Sequence, residues 1–352
     1  MADHPLRRRP HLVSGGGIVA LEGALVVVLG LSLILGISWG TVTLPIGEVW
    51  GVVGSHLGWS DTTPTPVQDQ IIWQFRTPRV LLAAVVGGAL SLAGACLQVL
   101  ARNPLADPYV LGVSSGAAFG AVLASIAGWT AIAGLGISGA AFVSALLTLL
   151  LVFVLAQRRG QVGPTRLVLA GVAISYLATA GTSFLQLYTN PLELRGIMFW
   201  ILGSLANARW DDLGIPTVVM VAAMVWLLGR SRALDVMSAG DDAASALGVA
   251  VNGFRIELLV VSSLLTATAV AVSGGIGFVG LMVPHAARFV VGPGHRRMLP
   301  VAVLGGAWFM VLVDLASRIA DRPNELPVGI FTAGFGAPFF LVLLRRSGRN
   351  AA

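Results

Sequence analysis

The apolar residues of this chain neither alternate nor form a narrow helical stripe. They come in unbroken runs of about twenty, parted by short stretches that hold most of the charge. A helix needs about twenty apolar residues to cross the hydrocarbon core of a bilayer. Ten runs qualify, at residues 18–37, 80–100, 110–128, 131–156, 166–188, 213–229, 254–273, 276–291, 300–320 and 327–344, and they predict ten transmembrane helices. The eighth is short and glycine-rich. The ninth carries Asp314 and Arg318, so its end is wet or faces protein. Residues 38–79 are predicted to hold a short interfacial helix over Pro45–Leu57. Residues 230–253 form the longest loop on the other side. Glu193–Leu205 is apolar but too short to cross, which places it at the membrane interface.

Small residues repeat within these runs. Gly112, Gly116 and Gly120 share one face of the third, and Gly87, Ser91 and Ala95 share one face of the second. Such faces let helix backbones approach closely in lipid. Ser273–Gly280 holds four glycines and predicts a broken or tightly turned helix pair. Irregular backbone at membrane depth must be buried in protein or line a cavity.

Composition narrows the class. Of 352 residues, 56% are hydrophobic and 11% charged, against about 25% charged in soluble domains. A soluble enzyme, a disordered tail and a nucleic-acid-binding domain are excluded. All 22 basic residues are arginine. With the N-terminus inside, sixteen fall on inner segments and six (Arg76, Arg79, Arg195, Arg209, Arg318 and Arg322) outside. The positive-inside rule therefore selects N-in, C-in and an even number of crossings. It also accounts for the high isoelectric point without a nucleic-acid partner. The run at 18–37 is too long for a cleaved signal and reads as a retained helix. The single cysteine, Cys96, leaves no internal disulfide and no cysteine cluster for metal. One all-α membrane domain over residues 1–352 is expected, with residues 1–17 as a cytoplasmic tail.

In the long inner loop, Ser238–Gly248 reads as one short helix. Ser238 and Asp241 form a capping-box-like start, and Gly248 a stop. No phosphate-cradling loop and no hydrolase motif is present, so this chain does not hydrolyse ATP. The main polar groups inside the spans are Asp314, His285 and Gln98, few for an ion-coupled carrier, although that class stays open as a rival. His285 reads as a packing residue in preference to a metal or haem ligand.

Five motifs stand in order: Arg76-Thr-Pro-Arg79, Asn103-Pro-Leu-Ala-Asp-Pro108, Leu111-Gly-Val-Ser-Ser-Gly116, Gly275-Ile-Gly-Phe-Val-Gly-Leu-Met-Val-Pro-His285 and Glu325-Leu-Pro-Val-Gly329. Over residues 70–345 the chain resembles the permease subunits of type II ABC importers for iron–siderophore complexes, haem and cobalamin. The resemblance implies a multi-pass protein of the bacterial cytoplasmic membrane, with inverted repeats of helices 2–5 and 7–10. It implies a homodimer, or a dimer with a related permease, serving two ATPase subunits and an extracytoplasmic binding protein. No cofactor is held by this chain, and ATP and Mg are used by the partner ATPases. The expected cargo is a ferric siderophore, with haem and cobalamin as alternatives.

The resemblance also suggests roles. Asp241, Asp242, Ala244, Leu247 and Gly248 would form a coupling helix docked on the ATPase. Asn103, Leu105 and Thr165 would sit at the cytoplasmic gate; Asn103–Pro108 is a helix stop in any case. Ser175, Thr179 and Ser183 on the fifth span, and Thr332 and Gly336 on the tenth, would line the path, although small-residue packing explains the same spacing. Arg76, Arg79 and Arg318 would receive acidic side chains of the binding protein, unless Asp314 holds Arg318 in an internal pair.

Overall fold

The computed structural model describes residues 15–128, 136–158 and 161–349. Most of the predicted tail 1–17 and the first residues of the fourth predicted span lie outside them. In chain order the helices are α1 Gly15–Ser38, α2 Ile46–His56, α3 Pro66–Asp69, α4 Thr77–Leu100, α5 Val113–Ile126, α6 Gly136–Ala156, α7 Pro164–Gln186 and α8 Pro191–Ile201. They continue as α9 Gly214–Gly229, α10 Ser231–Ala239, α11 Asp241–Ala246, α12 Val251–Ser273, α13 Val279–Val291, α14 His295–Ile319 and α15 Val328–Arg349. Each of the ten apolar runs is thus a helix. Seven helices among the described residues are long and apolar enough to cross a membrane, and the apolar parts of α5, α13 and α15 are shorter. At 1.5 Å per residue, the 14 and 13 residues of α5 and α13 reach only about 20 Å. Each is preceded by irregular chain, 101–112 before α5 and 274–278 before α13.

Nearly all of α4 is buried. It runs antiparallel to α14: Arg79 meets Asp314, and eight residues further along α4 Gly87 meets Gly306, eight residues back along α14. A Cβ on Gly87 would overlap the Gly306 carbonyl, and one on Gly94 the Gly280 carbonyl. The small residues of α5 work likewise. Gly116 lies against Thr148, Gly120 against Ser144, and the Ser144 hydroxyl donates to the Gly116 carbonyl at 2.7 Å. Contact rather than burial of bulky side chains holds these helices, as expected where lipid is as apolar as leucine. The outer helix α1 shows the opposite face of the same rule, with Val19, Val26, Val27 and Leu31 exposed.

The second quartet, α12–α15, mirrors the first, α4–α7. Both short spans, α5 and α13, follow irregular segments. α4 packs on α14 as α12 packs on α6. The end of α4 meets the start of α12 through Arg102, Asp241 and Arg255, so these two helices run antiparallel, as an inverted repeat requires.

Two expectations are corrected. The helix leading into α4 starts at Pro66, not near residue 80. Thr65 and Gln68 form a capping box, and a π-helix over Gln70–Arg76 continues into α4. The widened turn ends where Pro78 enters; proline has no N–H and crowds the carbonyl four residues back. The predicted single helix Ser238–Gly248 is two helices, broken at Gly240 with φ 125°. Ser238 lies in the last turn of α10, where its hydroxyl donates to the Leu234 carbonyl at 2.9 Å instead of capping α11. A two-stranded antiparallel hairpin, β1 Gln157–Arg158 with β2 Gln161–Val162, interrupts the all-helical pattern.

Candidate functional site: a cavity between two charged ends

The segments assigned inside by arginine placement gather at one end of the bundle. Arg255 Nη2 donates to both carboxylate oxygens of Asp241, each at 2.7 Å, and Nη1 donates to the Val162 carbonyl of the hairpin at 3.2 Å. Arg102 lies 3.5 Å from the same carboxylate. Asp235 of α10 accepts from the backbone N–H of His295 at 2.9 Å and faces its Nδ1 at 2.6 Å, tying α10 to α14. This frame presents α11. Within it Ala244 is fully buried while Leu247 is 70% exposed. Gly248, with φ 82°, ends the turn. Ala244 is therefore a packing residue of this chain and not a contact surface. Leu247 has the exposure that a docking contact needs. Asp241 is half-buried and engaged internally, whereas Asp242 is exposed. At the same end, Asn103 is exposed and its Oδ1 accepts the Leu105 N–H at 3.0 Å, making the turn that stops α4. Leu105 is half-buried, and Thr165 is exposed in the first turn of α7.

The opposite end carries Arg76 and Arg79, expected to be open forks, and Arg318, expected to be one unless Asp314 holds it. All three are buried: Arg76 6%, Arg79 7% and Arg318 2% exposed. Arg76 donates to the carbonyls of Ile37, Ser38 and Val42, closing the end of α1. Arg79 Nε donates to Asp314 Oδ1 and Nη1 to Glu325 Oε2, both at 2.8 Å. Arg318 Nε lies 3.0 Å from Asp314 Oδ2, and Nη1 donates to the Trp39 carbonyl at 3.0 Å. The internal pair with Asp314, one turn earlier on α14, is the arrangement found. Exposed docking forks are not. The physical reason is the extended helix start, which turns Arg76 and Arg79 into the bundle, where Asp314 and Glu325 neutralise Arg79 and backbone carbonyls take up the donors of Arg76.

Between the ends, a cavity of about 410 Å³ is walled by Ser114, Thr179, Ser183, Met198, Trp200 and Gly275, among others. Thr179 and Ser183 are exposed on it. Ser175, one turn further in, is not. Its hydroxyl donates to the Gly171 carbonyl at 2.7 Å and packs under Gly112. Thr332 and Gly336 are buried inside the chain. Thr332 donates to the Gly329 carbonyl at 3.2 Å, and Gly336 is closed over by Phe278. The face of α15 left open carries Ile330, Phe335 and Leu341 instead.

The far wall of the cavity comes from α8, within the segment predicted to lie along the interface. Its end is held inside the protein. The N–H of Ser204 donates to Ser273 at 2.8 Å, that of Val328 to Gly203 at 2.9 Å, and that of Gly329 to Leu202 at 3.0 Å. Gly203 and Gly274 at this junction both take positive φ, and a side chain on either would overlap backbone across the joint. The glycine run at 274–277 signalled that close approach. Met198 and Trp200 carried no signal, because an apolar segment too short to span reads the same at an interface or in a cavity wall.

The profile of the FecCD transport family matches residues 26–346. The cobalamin import system permease protein BtuC of Halobacterium salinarum is 45% identical over 275 residues, covering 78% of this chain and 73% of that one. The hemin transport system permease protein HmuU of Yersinia pestis is 36% identical over 328 residues, covering 92% and 95%. Among solved structures, an inward-facing conformation of a metal-chelate type ABC transporter matches with a TM-score of 0.80 at 35% identity, covering 93% of this chain and 99% of that one. With ten apolar helices in this arrangement, a family match over most of its length and relatives this similar, the chain belongs to the FecCD transport family and is a multi-pass membrane permease of the ABC importer class.

Proposed function

We propose that this chain forms half of an ATP-driven import pathway for a bulky metal chelate, and that the cargo passes along the cavity between α5, α7 and α8. The observation that carries this reading is the character of that wall. Its lining has hydroxyls, one amide and apolar side chains, and no carboxylate, arginine or histidine. A neutral, weakly polar surface suits a large complex whose metal is already ligated. It offers no strong site from which such a cargo would have to be stripped.

The sequence suggested a ferric siderophore first. The 45% identical relative is a cobalamin permease, so cobalamin is the cargo to test first, with a ferric hydroxamate siderophore and haem as the other arms. The chain works as a dimer with itself or a related permease, with two ATPase subunits that use ATP and Mg and with an external binding protein. It holds no cofactor of its own. Leu247, which caps the end of α11, is the contact offered to the ATPase, and Asn103, Leu105 and Thr165 border the inner gate.

The experiment is uptake into proteoliposomes holding the permease and its ATPase, with a Thr179→Cys substitution in a Cys96→Ala background. Uptake should require ATP and persist without an ion gradient. A polar maleimide should label position 179, and the transported cargo should slow labelling. Gradient-driven uptake without ATP refutes the ATP-driven reading. Inertness of position 179 in every nucleotide state refutes the path.

A further inference from the structure

The turn that stops α4 is joined directly to the cavity wall. The Asp107 carboxylate accepts the N–H of Tyr109 at 2.9 Å and also that of Phe278. The Tyr109 hydroxyl accepts the N–H of Ile276 and bonds the Ser114 side chain. Ile276 and Phe278 belong to the irregular stretch between α12 and α13, and Ser114 and Gly275 line the cavity. Phe278 has φ 70°, rare for a bulky residue, and its ring closes over Gly336 of α15. On the other side, Gly275 donates to the Trp200 carbonyl of α8 at 3.4 Å. Two side chains of the 103–109 turn therefore hold one of the two irregular segments that complete the short spans.

We infer that Asp107 and Tyr109 are positioning residues for transport: they clamp residues 276–278 to the 103–109 turn, so that the cavity wall follows the inner end of the permease. The argument is one of satisfaction and leverage. Buried backbone N–H groups need acceptors, and here side chains from the first repeat supply them to the second. A displacement of the turn is passed to Ile276 and Phe278 through hydrogen bonds and from Phe278 to α15 through packing. Rigid contacts of this kind have two arrangements more readily than a continuum. This inference rests on reading the α5–α7–α8 cavity as the path.

The test uses the full chain with its ATPase subunits in nanodiscs. Amide exchange is followed for peptides covering 274–279. Maleimide labelling at Thr179→Cys (Cys96→Ala background) is followed without nucleotide and with Mg–ATP trapped by vanadate. Tyr109→Phe and Asp107→Ala should speed exchange at Ile276 and Phe278 by about three- to tenfold, the loss of one ordinary hydrogen bond. Both should abolish the nucleotide-dependent change in labelling while ATP hydrolysis continues. Asp107→Glu, which keeps the acceptor, should restore part of that change. If Asp107→Ala does not fold, Tyr109→Phe, which loses a single hydroxyl, carries the test. Unchanged exchange in the variants overturns the clamp. Faster exchange with an unchanged labelling response overturns its coupling to the cavity. A parent protein inert at position 179 in every nucleotide state removes the path reading itself, and one labelled regardless of nucleotide overturns the coupling.

Discussion

Arg79 Nε and Asp314 Oδ1 stand 2.8 Å apart although 235 residues separate them in the chain, and the Asp314 side chain is wholly buried. The same carboxylate faces Arg318, and Glu325 completes the set from the loop before α15. Asp314 thus faces two buried guanidinium groups that join α4 to α14, and Glu325 pairs with one of them. Removing Asp314 strands Arg318 and leaves Arg79 with Glu325 alone. Asp314→Ala should cost about 3–5 kcal/mol. Arg79→Glu should do at least as much harm, since it places two acids beside Asp314. Thermal unfolding of the detergent-solubilised chain and its recovery on size exclusion check this. If Arg79→Glu melts like the parent and loses only binding-protein association, the network is dispensable and the arginine is a docking residue.

The contrast between this cluster and the ten helices shows what sequence carries. Long apolar runs need no tertiary information, because lipid accepts any apolar face; all ten were legible. So were the Gly87 and Gly116 faces and the broken pair at 274–278, since glycine at regular spacing has few other uses in a span. Arg76 and Arg79 lie deeper than the sequence suggests because their distance from the bundle depends on where the helix before α4 begins. A capping box at Thr65 followed by a π-helix hid that start behind Pro78. The resemblance assigns Thr332 and Gly336 to the path, but it and their spacing fix which residues share a face and not which way that face turns. Nothing in the sequence marks Tyr109, because its hydroxyl meets the N–H of Ile276, 167 residues away in the chain.

The exposure difference within α11 separates two roles that sequence had merged. Leu247 is 70% exposed, Ala244 0%. Leu247→Ala should leave the melting temperature of the permease unchanged and weaken ATPase association by about tenfold, the range of a well-placed interface side chain. Ala244→Glu should destabilise the permease itself, because a carboxylate would be forced into a fully buried site. Affinity chromatography with tagged ATPase, run beside melting curves, distinguishes the two. Equal effects on both readouts from both variants would return them to a single surface.

The close approach of α4 to α13 leaves no room for a methyl group. A Cβ on Gly94 would overlap the carbonyl of Gly280, whereas Gly23 on the outer face of α1 meets nothing within 4 Å. Gly94→Ala should therefore lower stability by about 1–3 kcal/mol through forced separation of the helices, and Gly23→Ala should be neutral or slightly stabilising through helix propensity. Melting in identical detergent gives the comparison. A Gly94→Ala variant as stable as the parent would mean that α13 can shift without cost.

Asp107 gives the pH prediction. It lies in the connection between α4 and α5, where burial pushes its carboxyl up to about 6 despite the N–H groups of Tyr109 and Phe278, which favour the charged form. In the unfolded chain the same group titrates near its ordinary value of 3.8. Between those values the folded state binds the proton and the unfolded state does not. The resulting stability is fully present below about pH 4 and is lost as pH rises through about 6. The ceiling on the effect is about 3 kcal/mol. Asp107→Asn keeps a carbonyl acceptor but cannot titrate. Relative to that variant, the parent should lose stability between pH 4 and pH 7, and the difference should level off above pH 7. Parallel melting temperatures for the two proteins across that window would show that the carboxylate is charged at no cost, and that the Tyr109 and Phe278 N–H groups fully offset its burial.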